Sequence, residues 1–357
     1  MTMSDLTITL PDGSTRTLPE GATGADLAAD IGPGLAKAAI IANVNGDGRD
    51  LDRPLPDGAT VAIVTADSDE GLHTLRHSTA HVLAQAVLEL WPGATYAIGP
   101  PIEHGFYYDF ELPGGVTFSQ DDLEAIEARM RLIVDADQAF ERFEVGADDA
   151  LELFADHRFK CEIIEQVTSG DADTELAGEA AADGTVTYYR NGDGFIDLCT
   201  GPHVPTTGRL GHFALQKVAG AYWRGDERQP MLQRIYGTAW ADKKALKGHL
   251  HRLAEAEKRD HRRLAAELEA PGTLRSAVEV RRDQSFAGGG SLPGFELPSW
   301  TLVVRPPSGP EDFAERLRLG EPPVLARIRE GAVVFDVRTL LPGDEADLVK
   351  AIQAALV

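Results

Sequence analysis

The stretch "RHSTAH", Arg76 to His81, sets two histidines four residues apart, His77 and His81, with His73 one helical turn earlier. Residues at i and i+4 share one helix face, so the pair suits a metal or a proton-transfer role. A second pair stands in "CTGPH", where Cys199 and His203 flank Gly201-Pro202. A Gly-Pro turn after a strand end lets His203 point back toward the site that Cys199 faces. Three imidazoles and one thiolate are, by residue type, a tetrahedral zinc set. The same four also suit a metal-free hydrolytic pocket in which a histidine serves a water as base. The blander alternative is a buried polar cluster that holds a hairpin against a helix. Lys160 in "RFKCEII" and Asp197 in "FIDLC" lie near this set in sequence or one strand register away. A lysine there would steady a developing oxyanion and an aspartate would orient a histidine. Taken alone, each reads as a surface charge.

These side chains need elements to hold them. Leu75, Val82, Leu83, Ala86, Val87 and Leu90 make the apolar stripe of a helix from about Leu72 to Leu90, stopped by Trp91-Pro92-Gly93. "YAIGPPIEHGFYYDFEL" reads as strand, turn and strand, and Gln120 to Val134 as a charged amphipathic helix. "TVTYYRNGDGFIDLCTGPHV" is a hairpin around Asn191-Gly192-Asp193-Gly194. Upstream, "LTITL", "PDGS" and "TRTL" give a strand, a turn and a return strand. "TGADLAADIGPGLAKA" has helical spacing, with Thr23 as N-cap and Gly32-Pro33-Gly34 as stop. "AIIANVNGDGRDLDRPL" and "TVAIVTA" add strands around an Asn-Gly turn, so residues 1–66 read as a β-grasp module, followed by "DSDEG" as an acidic linker. Asp242 to Glu269 reads as a long polar connector helix. Beyond Ala270-Pro271-Gly272 the text becomes a small α/β unit: "TLVVRP" is a strand, "PEDFAERLRLG" and "EADLVKAIQAALV" are helices, and "VLARIREGAVVFDVRTL" is a helical turn followed by a strand.

Composition bounds the chemistry. A chain of 357 residues divides into two or three domains, since single cores stop growing near about 250 to 300 residues. Two cysteines, Cys161 and Cys199, exclude a disulfide framework and point to a reducing, cytoplasmic setting. "MTMSDLTITLPDG" has no signal-peptide pattern, and no run of about 18 apolar residues predicts a membrane span. The net charge of −23 argues against broad nucleic-acid affinity. Tyr222 to Glu269 is a local exception, with eleven Arg and Lys against eight Asp and Glu. Such a stretch reads first as a solvated, ion-paired helix and second as an RNA-facing edge.

"GLHTLRHSTAHVLAQAVLELWPGATYAIGPPIEHGFYYDF", "DLCTGPHVP" and "GAYWRGDERQPMLQRIYGTAWADKKAL" resemble bacterial threonyl-tRNA synthetase, over roughly residues 1–272. The resemblance implies an N-terminal TGS domain and an editing domain whose HxxxH and CxxxH motifs match His77, His81, Cys199 and His203. In that family the editing domain hydrolyses serine wrongly attached to threonine tRNA. It carries catalytic roles onto His77, His81, Cys199, Lys160 and Asp197, with the Lys160 match resting on the shortest stretch. Related alanyl editing proteins hold zinc at the corresponding motif, whereas the threonyl site works without it, so the resemblance requires no cofactor. The need for editing follows from the amino acids. Serine lacks one methyl of threonine, and one methyl gives a single pocket only about 10- to 200-fold discrimination.

The likeness stops at "LEAPG". The remaining 85 residues are too few for a class II catalytic core and an anticodon-binding domain, so no aminoacylation is expected, and neither an ATP nor a pyridoxal-phosphate site is recognisable. "GGGSLPGFELPSW" and "FAERLRLGEPPVLARIREGAVVFDVRTLLP" resemble instead the small C-terminal domain of selenocysteine synthase, L-seryl-tRNA(Sec) selenium transferase. The expectation is thus an α+β multidomain chain: TGS domain (1–66), α+β editing domain (67–241), connector helix (242–272) and a selenocysteine-synthase-like α/β domain (273–357). Its expected substrate is tRNA(Thr) charged with serine, and its protein partners would be a full-length threonyl-tRNA synthetase or selenocysteine synthase, with no membrane. A non-catalytic RNA-binding remnant and a module docking on selenocysteine synthase stay open as alternatives.

Overall fold

The computed structural model describes residues 5–169, 185–192, 194–258, 278–286, 296–336 and 344–356. These fall into two compact units, Met1–Lys247 and Gly248–Val357.

The first unit opens with the hairpin β1 (Asp5–Thr9) and β2 (Thr15–Pro19), paired antiparallel with Leu6 opposite Leu18. Period-two alternation buries Leu6 and Ile8, and each such side chain contributes about 1.5–3 kcal/mol. Helix α1 (Gly24–Ile31) starts in a capping box in which Thr23 and Asp26 satisfy each other's backbone N–H. Gly32 ends α1, as expected. Pro33, however, opens a second short helix, α2 (Pro33–Ala38), because proline at the first helical position needs no N–H partner. β3 (Ala39–Val44), β4 (Asp47–Asp50) and β5 (Val61–Thr65) form a sheet of order β4-β3-β5. Asn45 and Gly46, both at positive φ, make the β3–β4 turn. A parallel bridge from Thr9 to Thr60 ties the two sheets around α1.

"DSDEG" is no linker. Ser68 caps α3 (Asp69–Leu90) by accepting from the Gly71 N–H, and Asp69 and Glu70 sit in its first turn, where the helix dipole favours carboxylates. β6 (Thr95–Tyr96), β7 (Pro101–Ile102) and β8 (Gly105–Glu111) follow. Next come α4 (Gln120–Asp135), β9 (Phe140–Gly146), α5 (Ala147–Leu153) and α6 (Arg158–Ser169). β10 (Thr185–Asn191), β11 (Phe195–Leu198), β12 (Phe213–Tyr222) and β13 (Met231–Ala239) complete the unit. The strands build two sheets, β12-β13-β8-β6 and β11-β10-β9. One core runs from the α3 stripe (Leu75, Val82, Leu83, Val87) to Phe106 and Phe110 of the first sheet and Phe140 and Phe195 of the second. Arg76 pins the helix by donating to the carbonyls of Glu103 and Ala239.

Helix α7 (Lys243–Lys258) crosses the unit boundary, and the rest of the expected connector, 259–272, lies outside the described residues. The second unit carries β14 (Val278–Phe286), β15 (Glu296–Val304), α8 (Pro310–Leu319), β16 (Arg327–Arg329), β17 (Ala332–Asp336) and α9 (Asp344–Leu356). Its antiparallel sheet has the order β14-β15-β17-β16, and Phe313, Leu317, Leu348 and Ile352 pack on Leu302, Val333 and Phe335. The expected helical turn before the last strand is instead β16. Glu330 and Gly331 both adopt positive φ and close a hairpin there, with Arg329 opposite Ala332.

Candidate active site

Three segments meet at one buried cluster. Helical spacing aims His77 and His81 from α3, while Cys199 follows the end of β11 and His203 follows the Gly201-Pro202 turn. Gly201 sits at φ +76, and a Cβ there would lie 2.0 Å from the Tyr189 hydroxyl oxygen, so both the turn and the close approach require glycine. One donor atom from each of His77, His81, Cys199 and His203 lies within 4.8 Å of the others. Cys199 Sγ is 3.2 Å from His77 Nε2 and 3.4 Å from His203 Nε2, and it accepts the Gly201 N–H at 3.2 Å. The His203 ring stacks on Phe140 at 4.8 Å and stands 4.2 Å from the His81 ring. His81, Cys199 and His203 are buried, whereas His77 keeps partial exposure. His73 is exposed and takes no part in the cluster.

Behind His81 lies a second layer. His81 Nε2 is 3.4 Å from Asp197 Oδ2, which also accepts from the Tyr108 hydroxyl at 2.6 Å. Lys160, on α6 rather than on a strand, places Nζ 2.7 Å from Asp197 Oδ1 and donates to Tyr108 Oη at 3.3 Å. Lys160 and Asp197 are each 1% exposed, so neither is the surface charge that its type alone suggests. The Asp197 carboxylate beside Nε2 favours the proton on that nitrogen, which leaves Nδ1 with the lone pair. That Nδ1 is buried without a hydrogen-bond partner.

Burial sets the charge states. His77 and His81 are pushed down to about 3, first by desolvation and then by neighbouring positive charge, including Lys160. Burial, followed by His81 and His77, holds His203 well below its ordinary value. All three imidazoles are therefore neutral near pH 7, the form in which a ring nitrogen takes up a proton or binds a metal.

Residues beyond the sequence-predicted set complete the site. Ser78 Oγ lies 3.0 Å from His203 Nδ1 and accepts the Val204 N–H at 3.1 Å. Its position inside "RHSTAH" was the available signal. Tyr108 stands in "FYYDF", where an aromatic run reads first as core. Asp50, on β4, accepts from the His203 backbone N–H at 2.8 Å and from the Tyr189 hydroxyl at 2.7 Å. No local pattern announced it. In the basic stretch, Arg224, Arg228 and Arg234 pair with Glu162, Asp226 and Asp109.

The donor set suits zinc. Tetrahedral bonds of about 2.0–2.3 Å place ligand atoms about 3.3–3.8 Å apart, a spacing that the two sulfur–nitrogen distances of 3.2 and 3.4 Å approach. Asp197 on His81 and Ser78 on His203 are the outer partners that orient ligating imidazoles.

Asp197, Cys199 and His203 of this site fall within a segment that matches a known domain family, and two further segments match others. Residues 6–65 match the TGS domain, 186–236 the threonyl and alanyl tRNA synthetase second additional domain, and 244–341 the L-seryl-tRNA selenium transferase family. Among full-length relatives, the threonine–tRNA ligase of Maricaulis maris is 54% identical over 267 residues, 74% of this chain and 39% of that protein. Those of Acidithiobacillus ferrooxidans and Rubrobacter xylanophilus are 53% and 50% identical, each covering 73% of this chain and 38% of the relative. Over its N-terminal part the chain is homologous to threonine–tRNA ligases, and it spans about two-fifths of their length. No helix among the described residues is long and apolar enough to cross a membrane.

Proposed function

We propose that the chain is an aminoacyl-tRNA deacylase that hydrolyses seryl-tRNA(Thr). The observation that carries this reading is the chain of contacts Lys160–Asp197–His81, ending in an unpartnered Nδ1 inside a cluster whose His77 keeps partial exposure. A water oxygen attacks the seryl ester carbonyl while His81 Nδ1 takes its proton. Asp197 holds the ring and steadies the imidazolium that forms. The tetrahedral intermediate then expels the terminal ribose oxygen, which takes the proton back, leaving free serine and uncharged tRNA. Lys160 acts through Asp197, holding that carboxylate in place by a 2.7 Å contact while positive charge develops on His81. An ester is already activated, so positioning and charge stabilisation suffice. The test is single-turnover decay of seryl-tRNA(Thr) with wild type and a His81→Asn variant; equal rates would remove His81 from the chemistry.

A second reading rests on the same orphan nitrogen. His77, His81, Cys199 and His203 would hold zinc, which when bound would supply Lewis-acid polarisation of a carbonyl and a lowered pKa for water. Metal analysis of the purified protein separates the two readings.

A further inference from the structure

We propose that Asp50, a residue of the TGS domain, is a positioning residue of the deacylase pocket. It sits at the end of β4, far from the cluster in sequence, yet it is buried and its carboxylate is divided between two parts of the site. Oδ1 accepts the backbone N–H of His203, and Oδ2 accepts the hydroxyl of Tyr189. Tyr189 in turn stands edge-on to the His203 ring at 4.4 Å, and its hydroxyl occupies the space that only a glycine at 201 leaves open. One carboxylate therefore fixes the backbone of His203, the wall beside its ring and the Gly201-Pro202 turn that delivers it. The β3–β4 hairpin adds a second point of approach: a Cβ at Gly48 would stand 3.4 Å from Pro202 Cγ, and Asn43 donates to Glu70 in the first turn of α3. The TGS hairpin thus braces both sequence segments that supply the histidines, the α3 start and the Cys199–His203 turn. Asp50 touches no reacting atom in the mechanism above. Its action passes through His203, whose ring stands 4.2 Å from that of the base His81.

This inference rests on the hydrolase reading, and its test separates the two. In full-length protein, Asp50→Ala leaves the His203 N–H and the Tyr189 hydroxyl buried without partners. Asp50→Asn restores both contacts, with Oδ1 accepting from His203 and the amide donating to Tyr189. A displacement of about 1 Å at a catalytic cluster costs on the order of 100-fold. Asp50→Ala should therefore lower kcat for seryl-tRNA(Thr) by about that factor with KM within about twofold, and Asp50→Asn should recover most of the loss. Tyr189→Phe removes one of the two anchors without changing ring shape and should give an intermediate kcat, which keeps the test open if the alanine variant does not fold.

Hydrogen exchange of the 199–204 peptide, with strand β3 as internal reference, supplies a readout independent of turnover. Exchange should quicken by about tenfold in Asp50→Ala, with β3 unchanged and Asp50→Asn near wild type. Wild-type kcat and wild-type exchange in either Asp50→Ala or Tyr189→Phe would overturn the proposal. An inactive wild type whose exchange still responds to Asp50→Ala would sink the hydrolase reading and leave the bracing of His203 by Asp50 standing.

Discussion

Lys160 Nζ stands 2.7 Å from Asp197 Oδ1, and both side chains are sealed from solvent. A buried ion pair of this kind contributes little net stability against apolar residues of similar volume, but breaking it by removing one partner costs about 3–5 kcal/mol. Asp197→Asn or Lys160→Met should each lower the stability of the first unit by that order in urea unfolding. The double variant Lys160→Met/Asp197→Leu should regain much of the stability and none of the hydrolysis. Recovery of hydrolysis in the double variant would show the pair to be purely structural.

Removing His81 should cost hydrolysis about 10²- to 10⁴-fold, the usual contribution of a positioned base, without a matching loss of binding. His73→Ala should leave the rate unchanged, since His73 is exposed one turn outside the cluster. Single-turnover rates read both, and equal losses in the two variants would mean that the site has been placed on the wrong histidines.

Stability should follow pH with a definite sign. In the metal-free protein His77 and His81 are held near 3 by burial, below the ordinary value of 6.5. Between those values the unfolded chain binds protons that the folded chain does not, so stability rises with pH through that window. The contribution is complete above about pH 6.5 and falls away on acidification toward pH 3. Urea midpoints measured from pH 8 to pH 4 check this, and a His81→Asn variant should show a shallower acid slope. A slope unaffected by that substitution would count against a neutral, desolvated His81.

Zinc offers a separate handle. On the second reading, protein equilibrated with zinc and dialysed retains metal and Cys199→Ala loses it, because the thiolate is one of four donors, whereas the metal-free reading predicts no retention in either. Retention equal in both would place the metal elsewhere.

The second unit gives a control. Phe313 is fully buried between α8 and the sheet, and Phe313→Ala should destabilise that unit by about 3–5 kcal/mol. Hydrolysis should be unchanged, because every residue of the mechanism lies in the first unit. A parallel loss of activity would give the C-terminal unit a role in the reaction.

Much of the site was legible because its residues are local to strong patterns. The 3.6-residue stripe placed His77 and His81 on one helix, and the Asn-Gly hairpin delivered Cys199 and the turn before His203. The misread segments failed for local reasons. "DSDEG" looks like a polar linker until Ser68 is recognised as an N-cap with carboxylates following it, and "ARIR" has too few residues to separate a helical turn from the strand that β17 recruits by pairing. Lys160 and Asp197 read as surface charges because their burial depends on each other, a property no single position carries. Asp50 was invisible for a different reason. Its partners are 139 and 153 residues away, and only packing of one module on the next brings them together.

The most direct test of the central claim is the decay of seryl-tRNA(Thr) beside threonyl-tRNA(Thr), each incubated with the purified full-length chain. The account predicts rapid loss of serine, spared threonine, and loss of the difference in Asp197→Asn. Seryl-tRNA(Thr) as long-lived with the protein as in buffer would contradict it.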